Sequence, residues 1–262
     1  MSRHVKLELN DKVVAITGGG RGIGLAIAQK CVQAGMQVAI GDVEADLVTE
    51  AAAQLGGSAR GYVLDVRDKG SFQSFLDSVE ADLGLLDVLV NNAGVLRMGP
   101  LAETDDASVD LQLDVNVKGV ITGSRLALER FLARGDGHLV NMASSAGMVA
   151  AANGATYTAS KHAVLGFTRA LRGELRGSGV RTTVVMPGVI RTDMTTDFKK
   201  AMGVRVVEPT VVAERIVDAL RTGDLEVCVP RETAIQGRLF TSLPPRASDF
   251  LKRITRVDQV MH

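Results

Sequence analysis

Aromatic residues are scarce in this chain: 3% of its 262 residues, with two tyrosines and no tryptophan. Its core therefore has to be aliphatic, and a hydrophobic content of 46%, rich in Val, Ile, Leu, Ala and Met, is enough for a sizeable one. Cysteine is almost missing too. Cys31 and Cys228 sit among apolar neighbours, read as small core residues, stand at no metal-ligand spacing from a histidine and suggest no disulfide. The four histidines (His4, His138, His162 and His262) are scattered and read as structural or surface residues, so no metal site is expected. An excess of either charge is absent: 30 basic residues face 30 acidic ones, which gives no reason to expect nucleic acid or an anionic surface as the main partner. No apolar run approaches about 18 residues, and the opening M-S-R-H-V-K-L-E-L-N is too polar for a signal peptide. The expected address is a reducing cytoplasm. Repeats and low-complexity tracts are lacking, and the length suits a single domain spanning 1–262 better than two.

What the chain does have is a succession of short β-branched runs alternating with helical patterns, which predicts an α/β fold: a three-layer, doubly wound parallel sheet. Lys12 to Thr17 reads as the first strand and runs directly into G-G-G-R-G-I-G at 18–24, after which a helix begins. A glycine turn between strand and helix lets backbone approach a pyrophosphate, and the helix N-terminus offers N–H groups to it. Gly18, Gly22 and Gly24 follow the wider T-G-x-x-x-G-x-G spacing, with Arg21 and Ile23 between them.

The second strand, Gln37 to Ile40, ends in Gly41-Asp42. A carboxylate there, about 20 residues past the turn, can accept from adenosine ribose hydroxyls and repels a 2′-phosphate. Asp42 thus argues for NAD over NADP, against the cation Arg21. Its bland alternative is a cap for the next helix. A third strand, Ala59 to Leu64, ends in Asp65-Val66. Asp65 is suited either to an adenine amino group or to capping the helix that starts near Asp68. The fourth strand, Leu85 to Val90, runs into Asn91-Asn92-Ala93-Gly94, a turn able to lie against a flat ligand. Thr104 to Arg134 carries one long helical pattern, including Val109, Leu113, Val117, Ile121, Leu126 and Phe131, interrupted by Asn116. That asparagine needs partners: it bonds local backbone, or distorts the helix and holds a water.

His138 to Met142 reads as a strand that delivers Ser144 to the carboxyl edge of the sheet, where α/β folds bind ligands. From Ala155 a helix begins, on which Tyr157 and Lys161, four apart, project from one face. A nearby ammonium favours the charged form of a phenol, so the pair reads as a proton donor and acceptor. A sixth strand, Arg181 to Val185, leads to M-P-G-V-I-R-T at 186–192. Beyond it, Thr210 to Arg221 reads as a helix capped by Thr210, and Leu225 to Val229 as a seventh strand. An extension follows from about 231 to 262, whose basic amphipathic end (Phe250, Leu251, Ile254, Val257) is expected to pack on protein, with a membrane surface the minor alternative.

T-G-G-G-R-G-I-G at 17–24, Asp65, N-N-A-G at 91–94, Asn116, Ser144, Y-T-A-S-K at 157–161 and P-G-V-I-R-T at 187–192 together resemble the short-chain dehydrogenase/reductase family, in its order and over about residues 10–195. The resemblance implies a Rossmann fold binding NAD(H) across the strand edges. It implies Tyr157 as general acid/base and Ser144, chosen over Ser145 by the family's usual offset, as the group bonding the substrate oxygen. Lys161 would hold the nicotinamide ribose and lower the tyrosine's pKa, and Asn116 would position a relay water. Thr192 and the backbone at Val189 would take the carboxamide, beside Pro187 and Gly188; Val66, Asn92, Ala93 and Gly94 complete the cofactor set. The implied reaction is reversible hydride transfer between NAD, with NADP the lesser expectation, and a secondary alcohol or ketone. An NADPH-dependent 3-oxoacyl reductase is the alternative, and a non-catalytic nucleotide sensor the remote one. Met148, Val149, Met194 and Met202 suggest an apolar substrate pocket, and the resemblance implies a homodimer or homotetramer.

Overall fold

A computed structural model describes residues 7–195, 205–244, 246–248 and 250. Seven strands form one parallel sheet in the order β3-β2-β1-β4-β5-β6-β7. They are β1 (Val13–Thr17), β2 (Gln37–Asp42), β3 (Ala59–Val63), β4 (Leu86–Asn91), β5 (Gly137–Met142), β6 (Val180–Pro187) and β7 (Glu226–Val229). The order reverses between β1 and β4, so a crevice opens there along the carboxyl ends of the strands. This is a Rossmann fold in a single domain.

Successive side chains of a strand point to opposite faces, and each strand here serves two cores. Val14 and Ile16 of β1 pack with Val38 and Ile40 under α1 (Gly22–Gln33), α2 (Ala45–Leu55) and α7 (Pro209–Thr222). Val13 and Ala15 pack on the other face with α3 (Lys69–Leu83), α5 (Val120–Arg134) and α6 (Ala155–Glu174), where Phe72, Phe75 and Phe131 supply the bulk. Four of the seven phenylalanines are thus gathered in one layer, Phe167 being the partly buried fourth. Burial on both sides explains why the central strands β1, β2 and β4 read as nearly unbroken apolar runs, while the edge strand β3 does not.

Four expectations change. The pattern across Thr104–Arg134 is three pieces: α4 (Asp106–Leu113), a π-helical turn at Asp114–Gly119 and α5. Asn116 sits in the π turn, fully buried, as a polar residue drawn sideways out of the helix would be. Ile121, expected inward, is 42% exposed, because the π turn advances the helical phase. The cap of α7 falls on Glu208 and not Thr210: Pro209 presets the first helical φ and starts the helix one residue early. Cys31 is buried, but Cys228 on the edge strand β7 is only half-buried. Within the extension, Glu232–Ser242 forms α8, which the sequence reading did not assign. Met202, His4, His262 and the amphipathic pattern beyond Phe250 lie outside the described residues.

Candidate active site

At the crevice, β1 ends on Thr17, a residue outside the expected set. Its hydroxyl accepts from the N–H groups of Asn92 (3.0 Å) and Ala93 (2.9 Å), while Asn92 Nδ2 donates to the carbonyls of Thr17 (2.9 Å) and Gly18 (3.0 Å). The turn after β4 is therefore stitched to the glycine turn after β1. Gly18 has φ +63°, and a Cβ on Gly24 would lie 2.0 Å from the Gly18 carbonyl oxygen, so neither place tolerates a side chain. The α1 N-terminus receives no side-chain cap. Its first-turn N–H groups, at Gly22, Ile23 and Gly24 on the cavity wall, are left for an anion.

Asp42 does not cap the following helix. Its Oδ2 accepts from Gly20 N–H (3.2 Å), which aims the carboxylate across the glycine turn, and Oδ1 accepts from Glu44 N–H (3.4 Å). Arg21 Nη2 is engaged by Glu44 at 3.0 Å. Asp65 does not cap α3 either, since Asp68 takes the Ser71 N–H at 2.6 Å. Asp65 instead pairs with Arg67 (2.6 Å), which holds its carboxyl below the usual range. The local spacing D-V-R, two residues apart, was the signal for this pair.

The other end of the cavity is made of side chains from β5 and α6. Ser144, just past β5, accepts from Ala146 N–H (3.1 Å) and donates to the Pro187 carbonyl (3.4 Å). Tyr157 and Lys161 share a face of α6, with Nζ 5.7 Å from the ring centroid. Lys161 is buried, donates to the Met142 carbonyl at 3.0 Å, and has its pKa pulled down to about 8 by burial. Burial pushes the Tyr157 phenol up, and a hydrogen bond with Ser144 pulls it back. An ammonium-acidified phenol was the expectation; in this state desolvation is the larger influence on it. Asn116 spends its side chain on Val95, accepting its N–H (2.8 Å) and donating to its carbonyl (2.9 Å), and donates also to Ser160 Oγ (3.2 Å).

One cavity of about 740 Å³ joins both ends. It is lined by the glycine turn, Asp42, Asp65, Val66, Asn92 to Gly94, Ser144, Tyr157, Lys161, Pro187, Gly188 and Thr192. Asn116 stands behind this wall. Val189 is also off it, with its carbonyl accepting from Val207 N–H (3.1 Å), and Ile190 takes the place beside Thr192. Among the expected apolar residues Met194 lines the cavity, while Met148 packs against Gly237 of α8. No His/Cys/Asp/Glu cluster able to hold a metal occurs among the described residues. The uncapped helix end, the glycines that a Cβ would obstruct and the carboxylate across the turn fit a dinucleotide.

A Rossmann sheet carrying this cavity defines an oxidoreductase that uses a nicotinamide cofactor. The short chain dehydrogenase family model matches residues 12–203, and the chain belongs to the short-chain dehydrogenase/reductase family. It is 39% identical over 189 residues to the D-threitol dehydrogenase of Mycolicibacterium smegmatis, covering 71% of this chain and 73% of that one. It is 37% identical over 190 residues to the cyclopentanol dehydrogenase of a Comamonas species, with coverage of 71% and 76%. Similarity to the bovine (Bos taurus) 3-oxoacyl-[acyl-carrier-protein] reductase is 32% over 88% of this chain and 95% of that one. The crystal structure of a family member from Burkholderia phymatum in complex with NAD superposes with a TM-score of 0.82 at 26% identity, covering 90% and 95% of the two chains.

Proposed function

We propose that the protein transfers hydride reversibly between NAD and a secondary alcohol or ketone, with Tyr157 as the general acid/base. The observation that carries this reading is that Tyr157, Lys161 and Ser144 open into the same cavity as the glycine turn. When bound, the nicotinamide supplies or takes the hydride. The protein's share is the proton. In ketone reduction the Tyr157 hydroxyl donates to the substrate oxygen while Ser144 Oγ–H holds that oxygen in place. A phenol raised by burial is protonated at neutral pH, so reduction needs no prior ionisation. In oxidation the phenolate takes the alcohol proton, and the Lys161 ammonium stabilises that charge. Asn116 would serve the proton relay through the π turn that it occupies, its side chain being committed to Val95 and Ser160.

NAD is favoured because Asp42 sets a carboxylate beside the glycine turn, where it would accept from ribose hydroxyls and repel a 2′-phosphate, and Arg21, the cation that would welcome that phosphate, is occupied by Glu44. Reduction of a 3-oxoacyl thioester with NADPH is the second reading, supported by the near full-length similarity to the bovine reductase. A homo-oligomer is supported by the outward face of α6, where Ala159, Ala163, Gly166, Ala170 and Gly173 are small and exposed. The helices described include none long and apolar enough to cross a membrane.

The test is a panel of secondary alcohols with NAD and NADP, read as reduced cofactor formed. Turnover of several alcohols with NAD is expected. Turnover confined to 3-oxoacyl thioesters with NADPH would establish the second reading, and no turnover of either class would overturn both.

A further inference from the structure

The turn after Gly94 is tethered at every second residue. Val95 is held through both its N–H and its carbonyl by Asn116, Arg97 N–H donates to Gln112 Oε1 (3.0 Å), and Gly99 N–H donates to the Asn153 carbonyl (2.8 Å). Asn116 and Gln112 stand four residues apart on α4 and its π turn, both fully buried, and Gln112 Nε2 has no partner among the described residues. Two buried amides are thus committed to fixing one short stretch of chain, at the cost of an unpaired donor.

What that stretch presents is Arg97. It lines the cavity that holds Tyr157 and Ser144, and it is exposed. Its guanidinium donates to the neighbouring Leu96 carbonyl (3.3 Å), and it forms no ion pair among the described residues. The other two arginines on the wall differ: Arg21 is paired with Glu44 and Arg67 with Asp65. The same cavity wall carries the apolar side chains Leu96, Met142, Ile190 and Met194, interspersed with polar ones such as Ser144, Thr192 and Asp193. A planar, permanently charged fork in a cavity that also offers apolar side chains suits a ligand with a hydrocarbon body and an oxyanion end.

We propose that Arg97 is the specificity determinant of this cavity, selecting alcohols and ketones that carry a carboxylate or sulfonate. This rests on the oxidoreductase reading above and names its substrate class. Apolar side chains alone do not distinguish an acid from its amide; a guanidinium carried on a tethered backbone does.

Direct binding tests this without turnover. Hexanoate, hexanesulfonate and hexanamide are titrated calorimetrically into the wild type and into Arg97→Gln, at low and at raised salt. At least one anion is expected to bind the wild type about tenfold more tightly than the amide, with the margin shrinking at raised salt and vanishing in Arg97→Gln, while amide binding is unchanged. Gln112→Leu, which frees the tether but keeps the charge, should lose part of the margin. Equal binding of all three compounds to the wild type, or an anion margin that survives in Arg97→Gln, overturns the proposal. A parallel assay separates the two levels: 5-hydroxyhexanoate and 2-hexanol are compared with NAD. Failure of both as substrates, with the anion margin intact, sinks the reading of an NAD-linked secondary-alcohol enzyme alone. Turnover of 2-hexanol at the efficiency of 5-hydroxyhexanoate sinks only the role of Arg97.

Discussion

The two ends of the cavity are built by opposite means. Around Gly18 to Gly24 the working groups are backbone: N–H groups of an uncapped helix, carbonyls gripped by Asn92 and turns that a Cβ would obstruct. Around Tyr157 the working groups are side chains whose protonation is set by burial, from a Lys161 brought down to about 8 to a phenol pushed upward. A backbone site depends on space and hardly on pH. A side-chain site tolerates a change of shape better, but its protonation states answer to every alteration in solvation.

The sharpest way to break the first end is Gly24→Val. Its Cβ would lie 2.0 Å from the Gly18 carbonyl and 2.7 Å from Asn92 Nδ2, so the turn has to open. Destabilisation of about 3 kcal/mol or more is expected, together with loss of cofactor binding. Chemical denaturation and NADH fluorescence titration measure the two. Unaltered binding at unaltered stability would show that the turn is not the rigid part.

At the second end pH is the probe. Ketone reduction by the wild type should fall as pH rises through about 8, where Lys161 loses its proton. Lys161→Arg, charged throughout, should be slower but level across that range; a fall at the same pH in the variant would assign the titration elsewhere. The linked stability has a definite sign. The folded pKa lies below the ordinary 10.5, so between about 8 and that value the unfolded chain binds more protons. Wild-type stability should therefore rise with pH there, relative to Lys161→Met.

His138 behaves alike away from the site. Burial takes its pKa from 6.5 to about 3, and its Nε2–H donates to Thr183 Oγ1 at 2.9 Å, because that hydroxyl is already donating to the Asp224 carbonyl. Stability that depends on a neutral His138 is present above 6.5 and is lost as pH falls toward 3, by several kcal/mol in total. His138→Leu should flatten this acid limb, as read by denaturant midpoints across the range. The smallest effect is at the ribose: Asp42→Asn should move the NADH-to-NADPH affinity ratio about tenfold toward NADPH. An unmoved ratio would take the cofactor preference away from Asp42.

This contrast also governed how much the sequence showed. Backbone sites advertise themselves, because glycines between a strand and a helix have few other uses, and the strand order follows from the alternation. The pairs made by short local spacing are harder to place: Asp65 reads as an adenine partner or a helix cap, and the structure adds Arg67 as its neighbour. Gln112 carries no signal beyond being polar, and Thr17 none beyond heading the glycine motif, yet one tethers Arg97 and the other joins two turns. Their roles come from long-range packing, with partners 15 and 75 residues away. The π turn was legible only as an asparagine in an apolar stretch. The direction of the Tyr157 shift was not legible at all, since spacing reveals the neighbouring ammonium but not the depth of burial.

Tyr157→Phe bears most directly on the central claim, because it removes a single oxygen from the side-chain end and leaves the backbone end untouched. NADH affinity should be unchanged, within about twofold, while turnover of a secondary alcohol falls by about 10³ or more. Turnover retained at the wild-type level would contradict the assignment of the phenol as the proton donor and acceptor.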